Sequence, residues 1–350
     1  MLPRRAGRPV RQALDSSQYV PTDSSLGPPT GRFAPTPSGP LHRGSLLTAL
    51  GGWLHVRRRG GRWWLRMDDL DTPRCVPGAD LQIQHQLLAH GLEWDGTVVY
   101  QSLHLDDYAA ALNRLMHSGR LYACRCTRAV LAATARPGPD GTVYSSRCRH
   151  AAWPLDEPCM LRFALDDETV RWKDAVLGPV SRRAAEVGDF PVRRADGQIG
   201  YHLACVVDEA RMGITDVMRG ADLIAASAQQ QWLMTALGHS RPRYGHLPLL
   251  CAADGRKLSK QNGAAAIGTR AGEVVAQLAD ALRQLGYVLP EPGALPSRPR
   301  DWLDWALQQP EPAPPPSAHS PAVCATRSHL ACFDAVQHPI PDSFRSRPDE

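Results

Sequence analysis

Two short segments of the chain carry side chains suited to phosphate chemistry. The first reads Arg32-Phe33-Ala34-Pro35-Thr36-Pro37-Ser38-Gly39-Pro40-Leu41-His42-Arg43-Gly44-Ser45. It looks like a strand that ends in a Pro/Gly turn and a helix that starts around a histidine and a glycine. A helix N-terminus offers free backbone N–H groups and the positive end of a dipole. Gly44 lets a flat ring or a phosphate come close to the backbone, and His42 can donate to a phosphate oxygen. Taken alone, the same residues also describe a turn that needs Pro and Gly for geometry, with His42 on the surface. The second segment is Lys257-Leu258-Ser259-Lys260-Gln261, in a polar loop over 254–262. Two lysines and a serine can clamp a polyphosphate, their charge following the charge that moves onto departing pyrophosphate. The residue census separates this from a merely solvated loop. The chain has three lysines, Lys173, Lys257 and Lys260, against 37 arginines, so a solvated loop would have used arginine.

A third cluster is built from sulfur. Cys124, Cys126 and Cys148 are the tight group among nine cysteines. An odd number of thiols in 350 residues is no disulfide scaffold; it fits a reducing compartment and a metal site. C-x-C is a weak signal by itself, and three buried thiols beside a core tyrosine are the plain alternative.

These residues need a frame to position them. The chain is 43% apolar and 21% charged, which is soluble globular composition with room for two domains or one with an insertion. No stretch approaches the roughly 18 apolar residues that cross a bilayer, and mean hydropathy is −0.32. A net charge of +5 permits a nucleic-acid partner without requiring one. Residues 1–30 carry Arg4, Arg5, Arg8 and Arg11 but lack the apolar core of a secretory signal; they read as a disordered extension, with a transit peptide as the alternative. Strands are expected at 31–34, 62–67 and 97–100, with helices at 44–59, 79–90 and 105–118. This alternation implies a parallel sheet whose sites lie beyond the strands' carboxyl ends. From 121 to 191 the pattern breaks into short pieces around cysteines, glycines and prolines, as an inserted subdomain would. Strands at 201–207 and 243–250 and helices at 226–237 and 271–285 follow, with a short helical stretch at 302–307. The expected organisation is thus an extension (1–30), a first half of a nucleotide-binding core (31–120), the insertion (121–191), a second half ending in the lysine loop (192–262), a short helical region (263–310) and a disordered tail (311–350).

Together the two phosphate segments resemble the HIGH and KMSKS signatures of class I aminoacyl-tRNA synthetases, here His42-Arg43-Gly44-Ser45 and Lys257-Leu258-Ser259-Lys260-Gln261. Residues 32–39, Asp69-Leu70-Asp71-Thr72-Pro73-Arg74, and the run from Tyr201 through Asp208 to Arg219-Gly220-Ala221-Asp222 resemble the glutamyl branch. The match extends from about residue 31 to about residue 286, with its motifs in order. Glutamyl-tRNA synthetases continue into a large anticodon-binding region, whereas only 90 residues follow Lys260, many of them prolines. The chain therefore resembles the glutamyl-queuosine tRNA(Asp) synthetases, which attach glutamate to the modified nucleoside queuosine. Ser45 and Gln261-Asn262 fit that subfamily's versions of the signatures.

The resemblance implies an α/β fold: a class I synthetase, Rossmann-like parallel sheet with an inserted zinc-containing subdomain and a short helical C-terminal region. It implies ATP, Mg²⁺ and one structural Zn²⁺, with Cys124, Cys126, Tyr144 and Cys148 as ligands and His150 as the substitute if Tyr144 does not serve. It assigns catalysis to His42, Gly44, Ser45, Lys257 and Lys260, with His42, Gly44 and Lys260 on ATP. Arg32, Phe33, Ala34, Pro35, Thr36, Asp68, Tyr201 and Arg219 would line the L-glutamate pocket, and a forked guanidinium there would select Glu over Gln by charge. Thr36 replaces the usual serine and keeps its hydroxyl. Asp68 replaces the usual glutamate that holds the α-ammonium, one methylene shorter; Asp69 and Asp71 would hold Arg74 and the turn. The implied partner is tRNA(Asp) carrying queuosine, and the implied working form a cytoplasmic monomer away from membranes. The rival readings are a truncated glutamyl-tRNA synthetase acting on tRNA(Glu) and a non-catalytic RNA-binding paralogue.

Overall fold

The computed structural model describes residues 27–155, 159–249, 265–291 and 296–312. The lysine loop, with Lys257 and Lys260, lies outside the described residues, as do residues 1–26 and 313–350 of the expected extension and tail. The first half contains β1 (Thr30–Phe33), α1 (Arg43–Arg57), β2 (Arg62–Met67), α2 (Ala79–Ala89), β3 (Val99–Tyr100) and α3 (Leu105–His117). The interrupted stretch follows with β4 (Leu121–Cys124), α4 (Arg128–Thr134), β5 (Arg136–Gly138), β6 (Gly141–Val143), β7 (Met160–Phe163), β8 (Thr169–Asp174), β9 (Gly178–Arg183), α5 (Ala184–Val187) and β10 (Phe190–Arg193). The chain then forms α6 (Tyr201–Arg211), β11 (Asp216–Gly220), α7 (Ile224–Leu237), β12 (Arg243–Leu247), α8 (Ala271–Gln284) and α9 (Pro299–Gln308).

Among the described residues the central sheet runs β12-β11-β1-β2-β3, and every pairing in it is parallel. The chain leaves β1 toward β2 and β3 on one side, and only after the long excursion returns to β11 and β12 on the other. That reversal opens a crevice at the carboxyl ends of β1 and β11, where sheets of this kind hold ligands. The excursion builds its own antiparallel sheet, β10-β7-β4, and two hairpins, β5–β6 and β8–β9.

Alternation along the strands divides the core into two layers. Phe33, Trp63, Leu65, Met67, Met218 and Leu247 face α1, α2, α8 and α9. Val217 and Tyr244 face the opposite layer, with Leu203, Val206 and Trp232 from α6 and α7. Gly31 permits the close packing of α1 on the sheet, since a Cβ there would stand 2.6 Å from a methyl of Val56.

Two elements differ from expectation. Residues 201–207, expected as a strand, begin a helix. The run Leu203 to Val207 is buried throughout because α6 packs against α3, α7 and β10 and reaches β1 and β2 through Glu209 and Cys205. A helix buried on nearly all sides has the same short apolar run as a buried strand. The central strand β11 has no strand-like sequence, since Asp216, Arg219 and Gly220 interrupt it, yet it pairs on both sides.

Candidate functional site

The Pro/Gly turn after β1 is fixed by its neighbours. Asp68 N–H donates to Pro35 O at 3.0 Å and Val76 N–H to Pro37 O at 2.9 Å. Gly39 turns the chain with φ +117°, the left-handed range that favours glycine. His42 is the N-cap of α1: its Nδ1 accepts from the N–H groups of Gly44 at 3.1 Å and Ser45 at 3.3 Å. The helix start was expected to offer free backbone N–H groups; those of Gly44 and Ser45 are taken by the imidazole. A neutral imidazole that accepts at Nδ1 carries its proton on Nε2, which makes Nε2 the donor. Phe33 turns away from the crevice and stacks on Trp63 in the core, ring centroids 6.1 Å apart.

Where the described chain resumes after the lysine loop, Ala266 pairs with His42 and Ile267 N–H donates to Leu41 O at 2.9 Å. Gln86 clasps both strands of this contact, accepting from Leu41 N–H and donating to Ile267 O, each at 2.8 Å. Residues 266 and 267, which follow Lys257 and Lys260 in the chain, are thereby held beside His42.

On the α6–α7 side of the sheet, the carboxyl halves of four strands bring buried nitrogen-bearing side chains together: Arg66, Arg32, Arg219 and His246. Arg66 grips Asp68 at 2.7 and 3.3 Å and lies 3.6 Å from Asp208. Asp208 in turn accepts from Gln101 at 2.7 Å and from Tyr108 at 3.0 Å. Burial raises the Asp68 carboxyl above its ordinary range, with Arg66 opposing the rise. Arg32 donates from Nε and Nη2 to Glu209 at 3.0 and 2.8 Å. Arg219 differs. It donates to the neutral Gln230 at 2.9 Å and Ser227 at 2.6 Å, its guanidinium lies 4.9 Å from the Tyr244 ring centroid, and its Nε has no partner among the described residues. No carboxylate of the described residues forms an ion pair with it. Tyr201, at the start of α6, is 43% exposed.

The aspartates near β2 divide their work. Asp71 lies 3.7 Å from Arg74, as expected. Asp69 instead accepts from the backbone and hydroxyl of Ser102, at 2.8 and 2.6 Å. Sequence reasoning missed Arg66, Glu209, Ser227, Gln230, Tyr244, His246 and Asp174. The scarcity of fully buried arginines would have been a signal only once the strands were placed.

The three cysteines of the C-x-C group meet where β4 ends and the 144–148 turn passes beneath it. All three sulfurs lie within 4.8 Å of one another. The Tyr144 hydroxyl is 3.5 Å from Cys124 Sγ and 3.6 Å from Cys126 Sγ, and Cys126 and Cys148 are 3.4 Å apart. A tetrahedral zinc with Zn–S of about 2.3 Å and Zn–O of about 2.0 Å needs sulfur–oxygen edges of about 3.5 Å and sulfur–sulfur edges of about 3.8 Å. The donor set fits. His150 is not part of the cluster, so the tyrosine is the fourth donor at hand. Arg162 lies over the Tyr144 ring, 3.8 Å from its centroid, and Cys148 N–H donates to the hydroxyl at 3.0 Å. Burial opposes ionisation of Cys148, but its hydrogen bonds with Tyr144 and the neighbouring groups outweigh it and bring the thiol down to about 7.

Residues 30–290 match the family model for the catalytic domain of class I tRNA synthetases, E and Q. A Glutamyl-Q tRNA(Asp) synthetase of Chromobacterium violaceum is 51% identical, over 74% of this chain and 87% of the relative. One of Thiobacillus denitrificans is 46% identical over 79% and 91%. Among solved structures, a glutamate tRNA ligase from Elizabethkingia meningosepticum, in complex with its amino acid, is 27% identical with a TM-score of 0.58. That likeness covers 67% of this chain and 52% of the ligase, so the chain spans about half the length of that enzyme.

Proposed function

The chain belongs to the class I tRNA synthetase (E and Q) family and, within it, to the glutamyl-Q tRNA(Asp) synthetases, and on that premise we propose how its residues divide the work of activating L-glutamate with ATP and passing it to the queuosine of tRNA(Asp). One observation carries the reading. Arg219 is the buried arginine at the crevice without an ion pair among the described residues, although Arg32 and Arg66 beside it each have one. A desolvated guanidinium held only by neutral groups is a receptor for an anion, and its fork matches a carboxylate. Tyr201 lines the open side.

In the first step a glutamate α-carboxylate oxygen attacks the α-phosphorus of ATP, and the bond to the β-phosphate oxygen breaks to release pyrophosphate. His42 Nε2–H, Lys257 and Lys260 offset the charge that moves onto the phosphates, and Mg²⁺ enters with ATP as part of the substrate. No general base is needed; positioning and charge stabilisation are the catalysis. In the second step a queuosine hydroxyl attacks the activated carbonyl and AMP leaves. Cys124, Cys126, Tyr144 and Cys148 would hold a structural zinc that ties β4 to the 144–148 turn. The working form is taken to be a cytoplasmic monomer, and no described helix is long and apolar enough to cross a membrane.

The test is incubation with labelled glutamate and ATP on tRNA(Asp) with and without queuosine, followed by mapping of the labelled fragment. Label in the anticodon loop of the queuosine form alone is expected. Label at the 3′ end of tRNA(Glu) would replace the reading with a truncated glutamyl-tRNA synthetase. Absence of glutamate-dependent pyrophosphate exchange at high glutamate would replace it with a binding protein.

A further inference from the structure

We infer that Asp174 and His246 are positioning residues for Arg219, acting through Ser227, and that this relay sets how tightly the substrate carboxylate is held. The inference rests on the reading of Arg219 as the carboxylate receptor.

The relay is a continuous line of short contacts. Arg219 Nη2 donates to Ser227 Oγ at 2.6 Å, Ser227 Oγ is 2.6 Å from His246 Nε2, and His246 Nδ1 is 2.5 Å from Asp174 Oδ2. Ser227, His246 and Asp174 are all buried. The direction of each hydrogen follows from the inventory of donors. An ionised Asp174 only accepts, so His246 carries its proton on Nδ1. The neutral ring then accepts at Nε2, and the Ser227 hydroxyl points its proton there. Its lone pairs are left facing Arg219. Burial keeps His246 in the neutral form this requires. It disfavours the Asp174 anion too, but the hydrogen bond from His246 outweighs that and holds the carboxyl below its ordinary range.

Asp174 is itself immobilised. Its Oδ1 accepts from the backbone N–H groups of Val176, Leu177 and His246, each at 3.0 Å, and Trp172 Nε1 donates to Oδ2 at 3.3 Å. It ends β8, and Ala175 N–H donates to Tyr244 O at 2.8 Å, so the β8–β9 hairpin is docked on β12 at this point. The relay thus supplies Arg219 with a carboxylate at three removes. Arg32 and Arg66 touch theirs directly, which blocks part of each fork. A counter-charge delivered through a serine and an imidazole stabilises the buried guanidinium and leaves its Nε–H, unpaired among the described residues, for the substrate.

Asp174→Asn is the informative change. Its side-chain oxygen still serves the backbone donors, while its amide donates to His246 Nδ1 and moves the ring proton to Nε2. That proton then points at Ser227 Oγ, and the hydroxyl turns to Leu223 O, 3.1 Å away. Pyrophosphate exchange on the full chain should show glutamate KM raised about tenfold or more in D174N and in Ser227→Ala, the loss expected for one hydrogen bond to a charged group. The KM for ATP and kcat should stay within about threefold, which a general loss of structure would not allow. Arg219→Ala in the same assay separates the two layers of the argument. If R219A raises glutamate KM but D174N and S227A leave it within twofold, the relay is overturned and the reading of Arg219 stands. If R219A leaves it unchanged, the reading itself fails. Should D174N not fold, S227A decides.

Discussion

The Arg32 guanidinium grips one oxygen of Glu209 twice, at 3.0 and 2.8 Å, while the other oxygen, Oε2, is buried with no hydrogen-bond partner among the described residues. The pair joins β1 to α6 behind the crevice, with both side chains almost wholly out of water. Removing one member of such a pair leaves the other charged and unpaired, which costs about 3–5 kcal/mol. Glu209→Gln should therefore lower the unfolding free energy by about 3 kcal/mol, read from chemical denaturation. A change below about 1 kcal/mol would mean that Arg32 finds another partner.

The sulfur cluster predicts a metal dependence. Protein purified without added metal should contain about one zinc per chain by mass spectrometry, and Cys126→Ser or Cys148→Ser should bind far less and melt lower. Tyr144→Phe separates packing from ligation. It keeps the ring under Arg162 but removes the oxygen that lies 3.5 Å from Cys124 Sγ, so zinc affinity should fall while the fold persists. Folded, active wild-type protein with substoichiometric zinc would remove the structural role.

Much of this was legible in the sequence, and the boundary is physical. Local signals were enough for α1, α2 and α3, for the turn with His42, and for the cysteine group; Tyr144 joined it only through the family resemblance. The residues that hold the crevice together were not, because their partners are distant in the chain. His246 meets Asp174 across 72 residues, and Arg32 meets Glu209 across 177. Only the strand order brings them together. Asp216, Arg219 and Gly220 hid β11 for the same reason: a central strand that carries site residues gives up the apolar run by which a buried strand is recognised.

Acid should weaken the fold through Asp216. Burial opposes its ionisation, but hydrogen bonds from His55 and Arg243, at 2.9 and 3.0 Å, outweigh it and hold the carboxyl down to about 2 from 3.8. A depressed carboxyl contributes stability that is present above its unfolded value and is lost as pH falls through the folded one. The window is therefore roughly pH 4 to 2, and the amount about 2 kcal/mol. His55 is raised by the same contact against the opposing effect of burial. Its share is present below its unfolded value of about 6.5 and is lost as pH rises through the folded one. Asp216→Asn should flatten the acid limb of a stability–pH curve. Equal losses at pH 6 and pH 2.5 would assign the contact no pH dependence.

Lys260 carries the expectation from the lysine census. Removing one preorganised donor to a developing charge costs about 10²–10³ in rate. Lys260→Ala should slow glutamate activation by that factor with the fold unchanged. Activation left within threefold would end its assignment to the phosphates.

His42 caps α1 through one nitrogen and is proposed to serve phosphate through the other, and substitution can part the two. Nδ1 caps α1, accepting from Gly44 and Ser45 at 3.1 and 3.3 Å; Nε2–H is the donor that the proposed function assigns to phosphate. Asparagine is among the best N-cap residues, since its side-chain oxygen reaches the same N–H groups, but it has no donor at the Nε2 position. His42→Asn should keep the melting temperature within a few degrees and slow activation about 10²-fold. His42→Ala loses the cap as well, at a further cost of about 1 kcal/mol in stability. The comparison is read by running denaturation and pyrophosphate exchange on both variants. If H42N retains wild-type activation, the histidine is only a cap and phosphate is held elsewhere. If H42N and H42A are equally destabilised, the cap seen at Nδ1 is not what holds the helix start, and the fixed direction of Nε2 would no longer follow from it.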